Sequence, residues 1–315
     1  MDASVAASQY LAPEVSGRPS PRHRAVWMLV ASATLFGLMA FSAKLASARL
    51  SGAQIAMVRF SVGAIPFLAV ARYRREAWAF QRTDLLFYRG FFGGVAVLFY
   101  FVAISHIPLG LATLLNYTAP IFSGMFAAIF IGESVRARAV LPLLLAFAGI
   151  FLVVRANALP GEALGFGRWE LLGLFSAILS GAAVTAIRVA RRTESSWSIY
   201  ASFTLFGWLA TVPFAIAQWK HPTLTEWGLL LAVGITSIGA QLLMTSALRW
   251  VDAVTAGAIS QLAVIISMFL GALWLSELPT VMGMAGSLLT IGGVIMVIIL
   301  TSKPVPSAFD EPAEQ

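Results

Sequence analysis

The chain has 315 residues, of which 59% are apolar and only 11% are charged. Soluble domains carry about 25% charged residues, so the composition excludes an ordinary water-soluble fold and predicts a protein embedded in a lipid bilayer. The net charge of +7 would suit nucleic acid, but the basic residues flank apolar runs, which indicates membrane topology and no nucleic-acid partner. A sequence without cysteine excludes disulfides, thiolate metal sites and cysteine catalysis.

Ten apolar runs predict ten transmembrane helices, because a helix needs about 20 mostly apolar residues to cross a bilayer. Residues 1–24 are polar, and we predict that they form a disordered cytoplasmic tail; residues 302–315 are predicted to form a second polar tail, also cytoplasmic. The first run exceeds the apolar core of a signal peptide, about 7–15 residues, so we expect an uncleaved helix there. The predicted spans are 25–47, 52–71, 85–106, 109–132, 138–155, 169–190, 197–218, 224–246, 253–275 and 279–301.

The distribution of basic residues predicts that both termini are cytoplasmic. With that orientation, fourteen of the 21 basic residues fall in cytoplasmic segments and four fall in the opposite loops. Cytoplasmic loops of membrane proteins are enriched in Lys and Arg. We therefore expect a multi-pass protein of the inner (plasma) membrane with its N- and C-termini inside; its oligomeric state is left open.

The sequence matches itself at an offset of 144 residues, without a gap, from the first span to the fifth. The matched pairs include Ser32 and Ser176, Gly90 and Gly234, Glu133 and Glu277, and Gly149 and Gly293. We therefore predict two repeats of five helices each, at 25–155 and 156–301. Because five is an odd number, the two copies cross the membrane in opposite directions, and inverted repeats of this kind are typical of secondary transporters.

Two paired blocks carry a family resemblance. The block AISHIPLGLATLLNYTAPIFSGMFAAIFIGE at 103–133 and the block ALRWVDAVTAGAISQLAVIISMFLGALWLSE at 247–277 resemble the fourth and ninth helices of the drug/metabolite transporter (DMT) superfamily, in its EamA-type branch. The similarity extends over residues 25–301 and implies an all-α membrane protein of ten helices. The Asn-Tyr-x-x-Pro motif also resembles the branch that exports aromatic amino acids.

The fourth span carries a polar face in its middle. Thr113, Asn116 and Tyr117 lie on the same side of the helix as Pro120, and Pro120 removes a backbone hydrogen bond and predicts a helix break. Broken turns at membrane depth are tolerated where they face protein or a water-filled cavity. This pattern predicts a substrate pocket. The alternative is an interhelical contact, in which Asn116 bonds a carbonyl group of a neighbouring helix and Pro120 makes a packing kink. The second repeat has Val264 in place of Pro120, so we expect its span to remain straight.

Other polar residues in the spans are candidates for the lining of the same pathway. Tyr100 lies deep in the third span, and its hydroxyl group needs a partner there. The further candidates are Ser180 in the sixth span, Gln241 in the eighth, and Ser260 and Gln261 in the ninth. Serines in membrane helices often bond back to their own helix, so each has a purely structural alternative.

Basic residues also fall within or near the ends of spans, among them Lys44, Arg59, Arg89 and Arg188. Lys44 and its repeat mate Arg188 are predicted either to reach the headgroups or to guide a substrate carboxylate. Arg59 lies deeper, and Phe203 stands at its mate position. We expect Arg59 either to bond backbone carbonyl groups or to line the pathway, since an unpaired cation at that depth costs several kcal/mol. Glu133 and Glu277 are expected to end helices or pair with Arg136 or Arg138.

Several activities lack a sequence signal. No Asp or Glu lies well inside a predicted span, which disfavours a proton-coupled antiporter of cationic drugs. No phosphate loop, metal cluster or nucleophile–base pair is apparent, so we predict no cofactor, no metal site and no catalytic residues. We expect an exporter of small metabolites such as amino acids, working by alternating access between the repeats. The alternatives are an uptake carrier for a nucleoside-like metabolite or organic cation, and a membrane scaffold or sensor without flux.

Overall fold

The computed structural model describes residues 21–73, 81–131, 138, 140–157, 167–190, 193–247 and 253–301. Within these ranges the secondary structure is α-helical, in agreement with the predicted fold class. The helices are α1 (Pro21–Ala46), α2 (Gly52–Tyr73), α3 (Thr83–His106), α4 (Leu109–Asn116), α5 (Ala119–Ile131), α6 (Val140–Ala156), α7 (Arg168–Ala190), α8 (Ser196–Ala217), α9 (Leu224–Ala247), α10 (Ala253–Ser260), α11 (Leu262–Trp274) and α12 (Val281–Thr301).

The lengths of these helices fit a membrane protein. In the described part of the chain, nine segments are long and apolar enough to cross a bilayer, and α4 with α5 forms one of them. The remaining predicted span, the fifth (138–155), corresponds to α6, an apolar helix of 17 residues, which is about 26 Å long at 1.5 Å per residue. Helix α6 packs along α12, its mate in the other repeat.

The packing of the helices reproduces the internal repeat. Helix α1 packs against α9, and the mates of these helices, α7 and α3, pack against each other in the same way. Helix α2 likewise packs against its own mate α8. The two repeats are therefore interlocked around a pseudo-two-fold axis, because the first helix of each repeat packs on the third helix of the other.

Matching hydrogen bonds hold the two interlocked contacts together. The Ser176 hydroxyl donates to the carbonyl oxygen of Ala96 over 2.9 Å, and the Ser32 hydroxyl donates to the carbonyl oxygen of Ala240 over 2.7 Å. Both serines are buried. Each residue in one bond is offset by 144 positions from its counterpart in the other, so the repeat found in the sequence relates individual contacts and not only helices.

Candidate functional site

The fourth span is interrupted between α4 and α5. Tyr117 and Thr118 form a turn in which the Thr118 amide donates to Leu115, three residues back, and the Ile121 amide donates to Thr118. The Thr118 hydroxyl also donates to the Leu115 carbonyl oxygen. Pro120 follows as the second residue of α5, where its missing amide hydrogen is tolerated best. The interruption lies at the position where the sequence predicted a helix break.

The ninth span is interrupted as well, at Gln261 between α10 and α11. The expectation that this half remains straight without a proline was therefore wrong. The Ser260 hydroxyl donates to the Gly257 carbonyl oxygen over 2.6 Å, the acceptor that a regular helix would offer to the Gln261 amide. The Gln261 amide bonds Ala258 instead, three residues back. In the second repeat, the Ser260 hydroxyl thus takes the carbonyl oxygen that a regular helix needs, and the helix breaks there. In the first repeat, the corresponding break is accompanied by a proline.

The two interruptions contact each other. The side-chain amide of Gln261 donates to the backbone carbonyl oxygen of Tyr117 over 3.3 Å. Gln261 is buried, and it occupies the position in the second repeat that Tyr117 occupies in the first. The contact between repeat mates places both breaks at the pseudo-two-fold axis, where the two repeats meet.

A chain of hydrogen bonds links the first interruption to the neighbouring helices. The Asn116 side-chain amide donates to the Ser176 hydroxyl over 2.5 Å, and Ser176 donates onward to Ala96. Asn116 therefore has the interhelical partner that the structural alternative anticipated. The Tyr117 hydroxyl forms no hydrogen bond with any residue in the described part of the chain, and the residue is half-buried. At this break, the Asn116 side chain is thus hydrogen-bonded, whereas the Tyr117 hydroxyl has no partner among the described residues.

Tyr100 and Thr113 form a second buried pair next to this break. Their oxygens are 3.0 Å apart, and the Thr113 hydroxyl donates to the Leu109 carbonyl oxygen over 2.9 Å. Because Thr113 uses its hydrogen on Leu109, Tyr100 is the donor in the pair. The lone pairs of the Tyr100 oxygen remain available, and Arg59 lies within electrostatic range of that hydroxyl.

Arg59 contacts aromatic rings instead of backbone carbonyl groups. Its guanidinium carbon lies 5.0 Å from the ring centre of Phe60, 6.0 Å from that of Phe101 and 5.5 Å from that of Phe203. Phe203 is the repeat mate of Arg59, so a position where the repeat replaces a cation with an aromatic ring brings the two residues together. Within the described residues, Arg59 forms no hydrogen bond or ion pair, and its buried Nε lacks a partner.

Arg89 was not among the predicted site residues, yet it joins this group. It lies in α3 with its guanidinium carbon 4.3 Å from the centre of the Phe203 ring, and its Nε is likewise buried without a partner among the described residues. Its guanidinium lies across Gly93, where a β-carbon would overlap Nη1. The sequence signals are a charge inside a predicted span and a glycine one helical turn later.

Lys44 has a complete set of partners. Its ammonium group donates to the carbonyl oxygens of Ile104 at 3.0 Å and Ile107 at 2.7 Å, and it lies 3.4 Å from the carboxylate of Glu277. Glu277 also accepts from the amide of Leu109 over 2.6 Å. The pair closes the corner between α3 and α4. Glu277 thus pairs with Lys44, whereas the sequence suggested Arg136 or Arg138 as its partner. Three of the predicted residues lie outside the described part of the chain: Glu133, Arg136 and the side chain of Arg188.

The remaining predicted candidates fall into two groups. Ser260 bonds its own helix, as described above, whereas Ser180 and Gln241 are half-buried and their side chains form no hydrogen bond with described residues. The structure brings Thr113, Asn116, Tyr117, Tyr100 and Gln261 together near the axis, with Arg59 beside Tyr100. Within the described ranges, no group of three acidic, histidine or cysteine side chains could hold a metal ion.

A groove of about 530 Å³ lies between α2 and α8. Its lining is almost entirely apolar and includes Phe60, Phe67 and Leu205, and Leu205 is exposed on the outside of the helix bundle. Phe60 lines this groove and also contacts Arg59. The groove is thus separated from the buried arginines by the thickness of an aromatic ring.

These features define a class of membrane protein. Two interlocked inverted repeats with interrupted helices that meet at their axis are the construction of a secondary transporter. The profile of the EamA-like transporter family matches residues 23–155 and, again, residues 167–299. These two matches are themselves offset by 144 residues. The chain belongs to the EamA-like transporter family, within the DMT superfamily, and is a multi-pass membrane transporter.

Relatives of this chain include transporters that are named for different substrates and directions of transport. It is 29% identical over 267 residues to the pseudopaline exporter CntI of Pseudomonas aeruginosa, covering 84% of this chain and 93% of that protein. It is 23% identical over 264 residues to an S-adenosylmethionine uptake transporter of Rickettsia bellii, covering 81% and 86%. A solved crystal structure with 20% identity shares the fold, with a TM-score of 0.59 over 88% of this chain and 97% of that one.

Proposed function

We propose that this transporter exports small metabolites, amino acids or related compounds, through a path between its two repeats. The contact between Gln261 and the carbonyl oxygen of Tyr117 carries the proposal, because it joins the two helix interruptions at the axis about which inverted repeats rock. Rocking of one repeat against the other would separate these groups and expose the backbone of both breaks. The similarity to an exporter in Pseudomonas aeruginosa supports the direction.

The proposed path includes the polar residues around the first break. Asn116, Tyr117, Thr113, Tyr100 and Gln261 would line it, and Ser180, Gln241 and Ser260 would extend it along the neighbouring helices. The backbone carbonyl of Tyr117 and its hydroxyl would become accessible together as the break opens. We propose an inner-membrane location with both termini cytoplasmic, which the distribution of basic residues supports.

Counterflow in proteoliposomes tests the proposal. Vesicles are preloaded with unlabelled amino acids, and entry of labelled Phe, Trp, Thr and Met is measured for the wild type, Asn116→Ala and Tyr117→Phe. We expect both variants to lose most of the counterflow while remaining folded. Thr34→Ala is the matched control, since the Thr34 hydroxyl bonds only Val30 in its own helix. Wild-type protein without counterflow of any amino acid would refute the amino-acid assignment.

An uptake carrier is the second candidate function. It is favoured by the similarity to the S-adenosylmethionine uptake transporter. The same vesicles distinguish the two functions when they are loaded with labelled substrate and diluted into media with inward or outward gradients. An exporter driven by its substrate gradient alone would show flux in both directions, whereas a coupled uptake carrier would accumulate label against its gradient.

A further inference from the structure

Arg59 and Arg89 place two buried positive charges beside one aromatic ring. Arg59 is seven residues from the start of α2 and Arg89 is six residues from the start of α3, which corresponds to about 10 Å along each helix. Each is 7% exposed. Both guanidiniums contact Phe203, at 5.5 and 4.3 Å from its ring centre, so one small molecule can reach both.

The surrounding protein compensates only part of this charge. A buried arginine in a membrane helix is destabilising unless it is paired or hydrated, and a desolvated cation–π contact offsets only part of that cost. Arg89 contacts a single ring, Phe203, and shares it with Arg59. The two cations also repel each other. In the described part of the chain, neither has a carboxylate partner, and both Nε atoms lack hydrogen bonds.

The local sequence makes room for these side chains. Gly93 provides the space in which the Arg89 guanidinium lies, because any β-carbon there would overlap it. The Tyr100 hydroxyl donates to Thr113, and Arg59 lies within electrostatic range of it. A purely structural arginine would be expected to bond backbone carbonyl groups, as Lys44 does. Among the described residues, Arg59 and Arg89 form no hydrogen bond, and their buried Nε atoms lack partners.

We propose that Arg59 and Arg89 together bind a substrate that carries two carboxylate groups. A dicarboxylate supplies two negative charges, one for each guanidinium, and guanidinium groups bind carboxylates through paired, charge-assisted hydrogen bonds. The aromatic rings of Phe60, Phe101 and Phe203 enclose the carbon chain between the carboxylates. This inference rests on the proposed transport function and names the chemical class of its substrate.

Ligand binding to the purified full-length protein in nonionic detergent tests the site without measuring flux. Thermal unfolding is followed with malonate, succinate, glutarate and adipate. Butyrate serves as a monocarboxylate, putrescine as a dication and inorganic phosphate as the alternative dianion. We expect the midpoint of unfolding to rise with at least one dicarboxylate and to rise less with butyrate, with no rise for putrescine. A larger rise with phosphate than with every dicarboxylate would overturn the assigned class.

Three variants separate a binding role from a structural role. Arg59→Met and Arg89→Met should each weaken dicarboxylate binding at least tenfold and raise the unfolding midpoint of the ligand-free protein. Arg49→Met is the matched control, since Arg49 pairs with Glu226 on the exposed surface; its dicarboxylate binding should equal that of the wild type. Unchanged binding in Arg59→Met and Arg89→Met would overturn the site, and so would a lowered midpoint in both.

Ligand binding and proteoliposome flux, measured on the same variants, distinguish the dicarboxylate site from the proposed transport function. Counterflow of neutral amino acids without any dicarboxylate binding would remove this site and leave the transport proposal standing. Dicarboxylate binding that depends on both arginines, without flux of any compound, would leave the site standing and remove the transport proposal. Dicarboxylate counterflow that is lost in Arg59→Met and Arg89→Met would support both.

Discussion

Lys44 lies at one end of the helix bundle with three oxygen partners, whereas Arg59 and Arg89 lie inside the bundle with aromatic rings as neighbours. All three are cations in apolar surroundings, but among the described residues only Lys44 has a carboxylate partner. This difference separates the two roles that a charged residue can have in a membrane helix. Lys44 and Glu277 stabilise a corner of the fold, and the two arginines cost stability that a ligand can restore.

Removal of the Glu277 carboxylate should produce the largest change in stability. Loss of one partner from a buried ion pair costs about 3–5 kcal/mol, and because both side chains here are 18% exposed, we expect Glu277→Gln to lower the free energy of unfolding by about 2–3 kcal/mol. Unfolding in nonionic detergent measures it. Arg49→Gln, which breaks the more exposed pair with Glu226, should cost at most about 1 kcal/mol. Equal effects of the two variants would contradict the assigned role of Glu277.

Replacement of either arginine should change stability in the opposite direction. Exchange of buried charges for apolar side chains of similar volume is often stabilising by about 1–4 kcal/mol, so we expect Arg59→Met and Arg89→Met to gain about 1–2 kcal/mol without ligand. The same unfolding measurement applies. A loss of stability in both variants would place the arginines in the same class as Lys44 and remove the contrast between the two regions.

The substitution Gly93→Ala should displace the Arg89 guanidinium without removing its charge, and it therefore tests the position of this side chain separately from its charge. Gly93→Ala adds a β-carbon where the Arg89 guanidinium lies, so we expect the binding of dicarboxylates to weaken by roughly as much as in Arg89→Met. The end of an arginine side chain can move aside, whereas the Phe203 ring, 3.1 Å from the added carbon, must shift slightly. The loss of stability should therefore fall at the lower end of the range for overpacking, about 1 kcal/mol. Gly124→Ala is the matched control, because a β-carbon at Gly124 meets open space. Intact binding in Gly93→Ala would contradict the placement of Arg89.

The paired serines give the smallest expected effect and compare the two repeats directly. Ser176→Ala and Ser32→Ala each remove one interhelical hydrogen bond, and such bonds contribute about 0.6 kcal/mol in membrane proteins. Only Ser176→Ala also releases the Asn116 side chain, so counterflow should fall in that variant and remain near wild type in Ser32→Ala. A similar loss of counterflow in both would show that packing, and not Asn116, limits transport.

Much of the architecture follows from the order of residues along the chain. The apolar runs predicted the helices, since only a fully hydrogen-bonded backbone is stable in lipid, and the gap-free offset of 144 residues predicted two inverted copies. Pro120 indicated the first interruption because proline lacks an amide hydrogen. The second interruption was missed, since it depends on a serine hydroxyl that takes the carbonyl of Gly257. Whether a serine bonds its own helix or a neighbour is decided by the local geometry of the packed chain.

The sequence by itself therefore determined the lipid environment, the apolar spans and the repeat, because hydropathy and the offset of 144 residues are properties of the order of residues along the chain. Only the tertiary structure decided which polar and charged groups find a hydrogen-bond or ion-pair partner. Lys44 finds Glu277, 233 positions away, and Arg59 finds its own repeat mate Phe203 and the overlooked Arg89. Charge balance depends on distances between atoms of different helices, and these distances are set when α2, α3 and α8 pack around the axis.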